Sequence, residues 1–242
     1  MTRSIYIGYD PREYAAFSVA RHSVLRHLSQ SIPVHGLILD DLISSNLYHR
    51  PIEHRTTEAG NKVMWDTISA APMSTQHANA RFLVPMLAKT GWALFMDGDM
   101  LLRGDIAQAF DGLDDSKAVY CVQHKHEPPT GIKMDGQLQL AYHRKNWSSF
   151  ILFNCDHEAN RSLTLELINT LPGRDLHRLC WLDDSEIGAL DPKWNFLVGH
   201  SDPAIDPVVV HHTSGTPDMP GYENTAYADE WRTELARIEA VV

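Results

Sequence analysis

The sequence predicts an α/β fold, one doubly wound, mainly parallel sheet covered by helices on both faces. Three observations predict it. Short apolar runs alternate with segments of helical periodicity, the pattern of strand–helix–strand units. The 242 residues suit one sizeable domain spanning 1–242. Trp92-Ala93-Leu94-Phe95-Met96 is an unbroken apolar run, as expected of a strand buried on both faces.

The elements follow in order. Ile5-Tyr6-Ile7-Gly8-Tyr9 reads as the first strand. Asp10-Pro11-Arg12-Glu13 then opens a helix, with Asp10 as N-cap, Pro11 in the first turn and Glu13 completing a capping box. Tyr14, Phe17, Ala20, Val24 and Leu28 recur at helical spacing and predict its buried face. Val34 to Leu39 reads as a strand ending in Asp40-Asp41. Thr75 caps an expected helix to Lys89, kinked at Pro85 and stopped by Gly91. After the Trp92–Met96 strand, Ala118–Val122, Phe150–Phe153 and Val208–Val210 read as strands. Leu163–Leu171 and Tyr227–Ala240 read as helices, the last with Asp229, Glu230, Glu234 and Glu239 on its polar face. The polar segment Gln123–Asn146, with glycines at 131 and 136, is a long loop of the kind that serves as a flap.

Composition narrows the function classes. A formal charge of −10 and no Lys/Arg cluster argue against nucleic acid as partner. No apolar stretch is long enough for a transmembrane segment, and the N-terminus lacks the apolar core of a signal peptide. Three scattered cysteines fit neither a disulfide framework nor a CxxC metal site, so the expectation is a cytoplasmic protein. An acidic protein that takes an anionic substrate needs a metal ion or a few placed cations.

Four clusters carry candidate chemistry. Asp97-Gly98-Asp99 ends the buried strand, and in extended chain residues i and i+2 share a side. Two carboxylates so placed suit Mg²⁺ or Mn²⁺ with substrate phosphates, at the strand end where open α/β sheets bind ligands. Asp-Gly is equally a hairpin signal. Val208-Val209-Val210 delivers His211 and His212, then Thr213-Ser214-Gly215, a turn able to offer N–H groups to phosphate. Asp183-Asp184-Ser185-Glu186 reads either as a functional acid group or as a solvated helix start. Arg144-Lys145-Asn146-Trp147-Ser148-Ser149 combines cations, an aromatic and small polar groups at a strand entrance, the makings of a sugar-pocket wall or an ordinary turn.

Taken in order, Ile5–Asp10, Arg81–Pro85, Phe95–Asp99, Ser148–Asn154, Asp183–Ile187, Trp194-Asn195 and His211-His212-Thr213 resemble the glycosyltransferases that include glycogenin and the bacterial lipopolysaccharide galactosyl- and glucosyltransferases. The resemblance runs from about Ile5 to Tyr222. It implies a Rossmann-like nucleotide-sugar domain of the GT-A type and transfer of a hexose from a UDP-sugar with retained configuration, to a saccharide, lipid-linked or protein acceptor. It implies Asp97, Asp99 and His211 as ligands of Mn²⁺ or Mg²⁺. It puts Ile7, Gly8, Tyr9 and Asp10 near uridine, Arg81 and Gly98 near the donor, Ser148 and Ser149 on the sugar-side wall, and Thr213 and Gly215 at the phosphates. Asp184, or else Asp183, is the acid expected beside the transferred sugar, where a carboxylate stabilises an oxocarbenium-like centre. Two departures stand out. Trp147-Ser148-Ser149 replaces the family's Asn-Ser-Gly, and no lysine follows the histidine motif, which leaves Lys133 or Lys145 for that contact. These point to a divergent, bacterial branch. A sugar nucleotidyltransferase would open on a Gly-rich phosphate loop, which Gly8-Tyr9-Asp10 is not. A non-catalytic nucleotide-sugar or carbohydrate binder is the other alternative.

Overall fold

A computed structural model describes residues 1–57, 60, 62–124, 144 and 146–240. Its strands are β1 (Arg3–Gly8), β2 (Val34–Leu37), β3 (Ile52–Thr56), β4 (Lys62–Asp66), β5 (Ala71–Met73), β6 (Trp92–Met96), β7 (Met100–Leu102), β8 (Val119–Cys121), β9 (Phe150–Asn154), β10 (Ile187–Ala189), β11 (Phe196–Leu197) and β12 (Val209–His211). Its helices are α1 (Tyr14–His27), α2 (Leu39–Ser44), α3 (Val84–Ala88), α4 (Glu158–Ser162), α5 (Leu165–Thr170), α6 (Gly173–His177) and α7 (Ala228–Glu239). No described helix is long and apolar enough to cross a membrane.

Six strands form the main sheet in the order β10-β8-β9-β6-β1-β2, and β9 alone runs against its neighbours. The fold is therefore the mixed, mainly parallel α/β class that the alternating pattern predicts. Side chains alternate between its faces, as strand geometry requires. Tyr6, Ala93, Phe95, Ile151 and Phe153 face one core with Phe82, Ile168 and Leu176. Ile5, Ile7, Leu94, Met96, Phe150 and Leu152 face the other with Ala20 and Val24 of α1. A second sheet, β11-β12-β7, carries His211 on β12. A third, β3-β4-β5, is antiparallel.

Several local expectations change. Pro11–Glu13 forms a 3₁₀ turn, capped by the Asp10 carboxylate, which accepts from the Arg12 amide at 2.9 Å. The buried stripe of α1 begins at Ala16, so Tyr14 stays 64% exposed. Strand β2 stops at Leu37, and Asp40 and Asp41 fall in the first turn of α2, where acids suit the helix dipole. The helix expected from Thr75 to Lys89 is divided into a 3₁₀ turn at Ala80–Leu83 and the short α3, because Pro85 has no N–H and fits only a helix start. Thr75 caps nothing, its Oγ1 buried without a hydrogen-bond partner. Glu234 is not on a polar face: it is 1% exposed, between α7 and α1. Residues 97–99 are no hairpin either, since β6 and β7 belong to different sheets.

Candidate active site and metal centre

The site begins with two strand ends brought unusually close. A Cβ on Gly98 would lie 2.4 Å from the carbonyl oxygen of Gly8, and a Cβ on Gly8 would lie 2.5 Å from the His77 ring. Only glycine lets these backbones and that ring meet. The backbone is then pinned on both sides. Asp97 N–H donates to the Ser149 carbonyl at 2.9 Å, and His212 N–H donates to the Asp99 carbonyl at 3.1 Å.

This brings Asp97, Asp99 and His211 together, with one ligand atom from each lying within 4.8 Å of the others. A chain of hydrogen bonds fixes the imidazole. Ser149 Oγ donates to the Asn146 carbonyl at 2.8 Å, so it must accept from Asn195 Nδ2, also at 2.8 Å. The Asn195 amide oxygen is thereby turned to His211 Nδ1, 2.9 Å away, which carries the proton. His211 Nε2 is left facing Asp99 Oδ1 at 3.3 Å, and that oxygen has no hydrogen-bond partner. Unless a second proton charges the ring, two acceptors confront each other, and a cation between them resolves the conflict. Two carboxylates and an imidazole steered by a buried amide fit a divalent metal.

Asp97 is held charged. Burial works against its charge, but Arg81 and then His77 and His211 outweigh it and keep its carboxyl well below the usual range. Arg81 NH2 lies 2.9 Å and His77 Nε2 3.2 Å from Asp97 Oδ1. The rest of the Arg81 guanidinium is occupied, Nε donating to the Ala78 carbonyl and NH1 to the Ser148 carbonyl, each at 2.9 Å. Arg81 thus braces Asp97 more than it reaches for a donor. His211 is shifted upward, with Asp99 overriding the burial that opposes its charge. Burial lowers His177 to about 3 and His212 to about 4, and it raises Glu13 to about 7 with help from Asp99 and Asp10.

A cavity of about 360 Å³ opens over these groups. Of the residues expected from the sequence, Arg81, Asp97, Gly98, Asp99, Ser148, Ser149, His211, Thr213 and Gly215 line it. Ile7, Gly8, Tyr9 and Asp10 do not. Ile7 is core, Tyr9 packs edge-on against Phe17, and the Asp10 carboxylate is taken by the Arg12 guanidinium and the Gln76 amide. Asp183 and Asp184 also lie outside the lining. Asp183 shares a capping box with Glu186, while the Asp184 carboxylate is 91% exposed and paired with Arg144. Residues 125–143 and 145 of the expected flap, Lys133 and Lys145 among them, lie outside the described residues.

The cavity also holds Glu13, which the sequence offers only as part of a cap, His212, offered only beside His211, and His77 and His177, which sequence reasoning passes over. His77 stands four positions before Arg81, one helical turn, and that spacing was the available signal. His177 had none, since it comes from α6 and meets the site through space, its Nδ1 2.7 Å from Ser148 Oγ and its ring edge-on to Phe82.

No protein-family model matches the chain. Protein CDI of Arabidopsis thaliana is 40% identical over 237 residues, covering 96% of this chain and 85% of the relative. The chain belongs to the Protein CDI family. Its relative is a plant protein, which gives the expectation of a bacterial branch no support. Among solved structures, the bifunctional glycosyltransferase WbbM superposes with a TM-score of 0.60 at 16% identity over 97% of this chain. The chain spans half of the WbbM chain and 60% of the glycosyltransferase GlyE of Streptococcus pneumoniae (TM-score 0.58, 14% identity). It covers 95% of the galactosyltransferase LgtC, again at TM-score 0.58 and 14% identity. The fold is the GT-A glycosyltransferase fold.

Proposed function

We propose that this protein is a divalent-metal-dependent glycosyltransferase that moves a hexose from a UDP-sugar to an acceptor hydroxyl, with retention of configuration. The observation that carries the reading is the triad of Asp97, Asp99 and His211, whose ligand atoms lie within 4.8 Å of one another in the wall of the cavity. Glycosyltransferases sharing this fold add weight to it.

Asp97, Asp99 and His211 would hold Mn²⁺ or Mg²⁺. The ion supplies Lewis-acid stabilisation of a nucleoside diphosphate leaving group. The protein's own work is to keep the ligands ready. Arg81 and His77 keep Asp97 ionised, and Asn195 keeps His211 Nε2 turned to the site. Thr213 and Gly215 line the cavity beside His211, a position suited to the phosphates. A sugar-facing part for Asp184 or Asp183 draws nothing from their exposed placement and is tested below.

Incubation with labelled UDP-glucose, UDP-galactose and their N-acetyl forms plus Mn²⁺ tests the reading. Slow metal-dependent donor hydrolysis is expected. Pyrophosphate exchange would mean a nucleotidyltransferase, and binding without turnover would mean a non-catalytic binder.

A further inference from the structure

His212 is a polar side chain in the cavity wall that the metal-centred reading leaves unused. It is 1% exposed, and neither Nδ1 nor Nε2 has a hydrogen-bond partner. Buried polar groups in folded proteins are ordinarily paired. A ring with both nitrogens bare in the wall of a cavity is therefore waiting for a ligand. Thr75 Oγ1, buried and equally without a partner, lines the same cavity.

The chemistry of the ring selects the ligand class. A neutral imidazole presents one donor and one acceptor. Phosphate oxygens at neutral pH only accept, so a diphosphate satisfies one nitrogen and leaves the other bare. A hydroxyl both gives and accepts, and so matches both.

We propose that His212 reads hydroxyl groups of the bound sugar nucleotide, on the ribose or on the transferred sugar, donating from one ring nitrogen and accepting at the other. This rests on the donor reading given above. The residue is a specificity determinant for that donor and is separate from the metal ligands.

Calorimetry with Mn²⁺ and three ligands tests it: UDP, 2′,3′-dideoxy-UDP and UDP-glucose. The proteins are the parent, His212→Phe and His212→Gln. If the ribose is read, the parent prefers UDP over the dideoxy form by roughly ten- to a hundredfold, the scale of a buried polar group left unpaired. His212→Phe then binds the two alike, and His212→Gln, which keeps a donor and an acceptor, recovers part of the preference. If the sugar is read, His212→Phe binds UDP like the parent but loses a similar factor on UDP-glucose. A uniform loss on all three ligands, as a phosphate contact gives, overturns the proposal, and so does no change on any. Should His212→Phe not fold, His212→Leu gives the same reading. A parent that binds no UDP with Mn²⁺ brings down the donor reading itself, before any variant is made.

Discussion

Two acid clusters in this molecule look alike in composition and differ in how they are finished. Glu234 sits between α7 and α1, and its oxygens accept from His22, Arg26 and Arg237 at 2.7–3.1 Å. Nothing on that carboxylate is left over. Asp97 Oδ1 is braced by Arg81 and His77, yet Asp99 Oδ1 beside it is buried without a hydrogen bond. Both clusters are paired with positive or titratable groups, so charge does not distinguish them. Unfilled hydrogen-bonding capacity does. A closed cluster ties elements together, while an open one reserves its oxygens for something the chain does not contain.

The contrast is broken or sharpened by substitution. The largest effect on donor chemistry is expected from Asp97→Asn and Asp99→Asn. UDP–Mn²⁺ affinity and donor hydrolysis should fall together by roughly 10²–10³, the scale of one preorganised electrostatic partner. Calorimetry beside a hydrolysis assay checks this, and unchanged metal binding would empty the open cluster of its meaning. Asn195→Leu should weaken Mn²⁺ binding by about 10–100-fold through His211 alone. Titration of the spin signal of free Mn²⁺ measures it, and Asn195→Asp, which keeps an acceptor for Nδ1, should recover part of the loss.

Glu234→Gln should leave UDP–Mn²⁺ affinity alone and cost about 1–3 kcal/mol of stability, read from denaturant melts, because Arg26, Arg237 and His22 lose a charged acceptor. A loss of donor affinity there would erase the distinction between the clusters. Acid should separate them as well. The folded pKa of Glu234 is lowered to about 2, its hydrogen bonds from Arg26, His22 and Arg237 overcoming burial. Its stabilisation is therefore complete above the ordinary 4.5 and fades as pH falls from there toward 2. His211 is shifted the other way, above 6.5, so protons compete for its ring at higher pH. Mn²⁺ binding should weaken in mild acid while the far-ultraviolet circular dichroism stays unchanged. The smallest effect is expected from Asp184→Asn, which removes an exposed pair worth about 1 kcal/mol or less. Turnover reduced by 10² or more with UDP affinity intact would instead put that carboxylate at the sugar.

How much of this was legible follows from the range of the interactions. Strand β6 was read to the residue, because a five-residue apolar run buried on both faces is a local signal. The Asp97–Asp99 pair was legible because i, i+2 spacing at a strand end sets two carboxylates on one side, whereas His211 joined them only through the family resemblance. Glu234 was misplaced since its burial depends on three partners, two of them more than 200 residues away. Strands β3–β5 were missed, for Ile52–Thr56 carries almost no buried side chain and so no alternation. His177 gave no sign, and His212 none apart from its neighbour His211, as their value lies in what surrounds them in space.

Mechanically, residues 97–99 are a seam. The main sheet ends at Met96 and the β11-β12-β7 sheet resumes at Met100, so the acids lie where one sheet hands over to the other. His211 approaches from the far side of that seam, on β12. An ion gripped by all three would act as a rivet through two plates. Amide protons of β7 and β12 should then exchange more slowly once UDP and Mn²⁺ are bound, while those of β3–β5, outside the riveted plates, keep their pace.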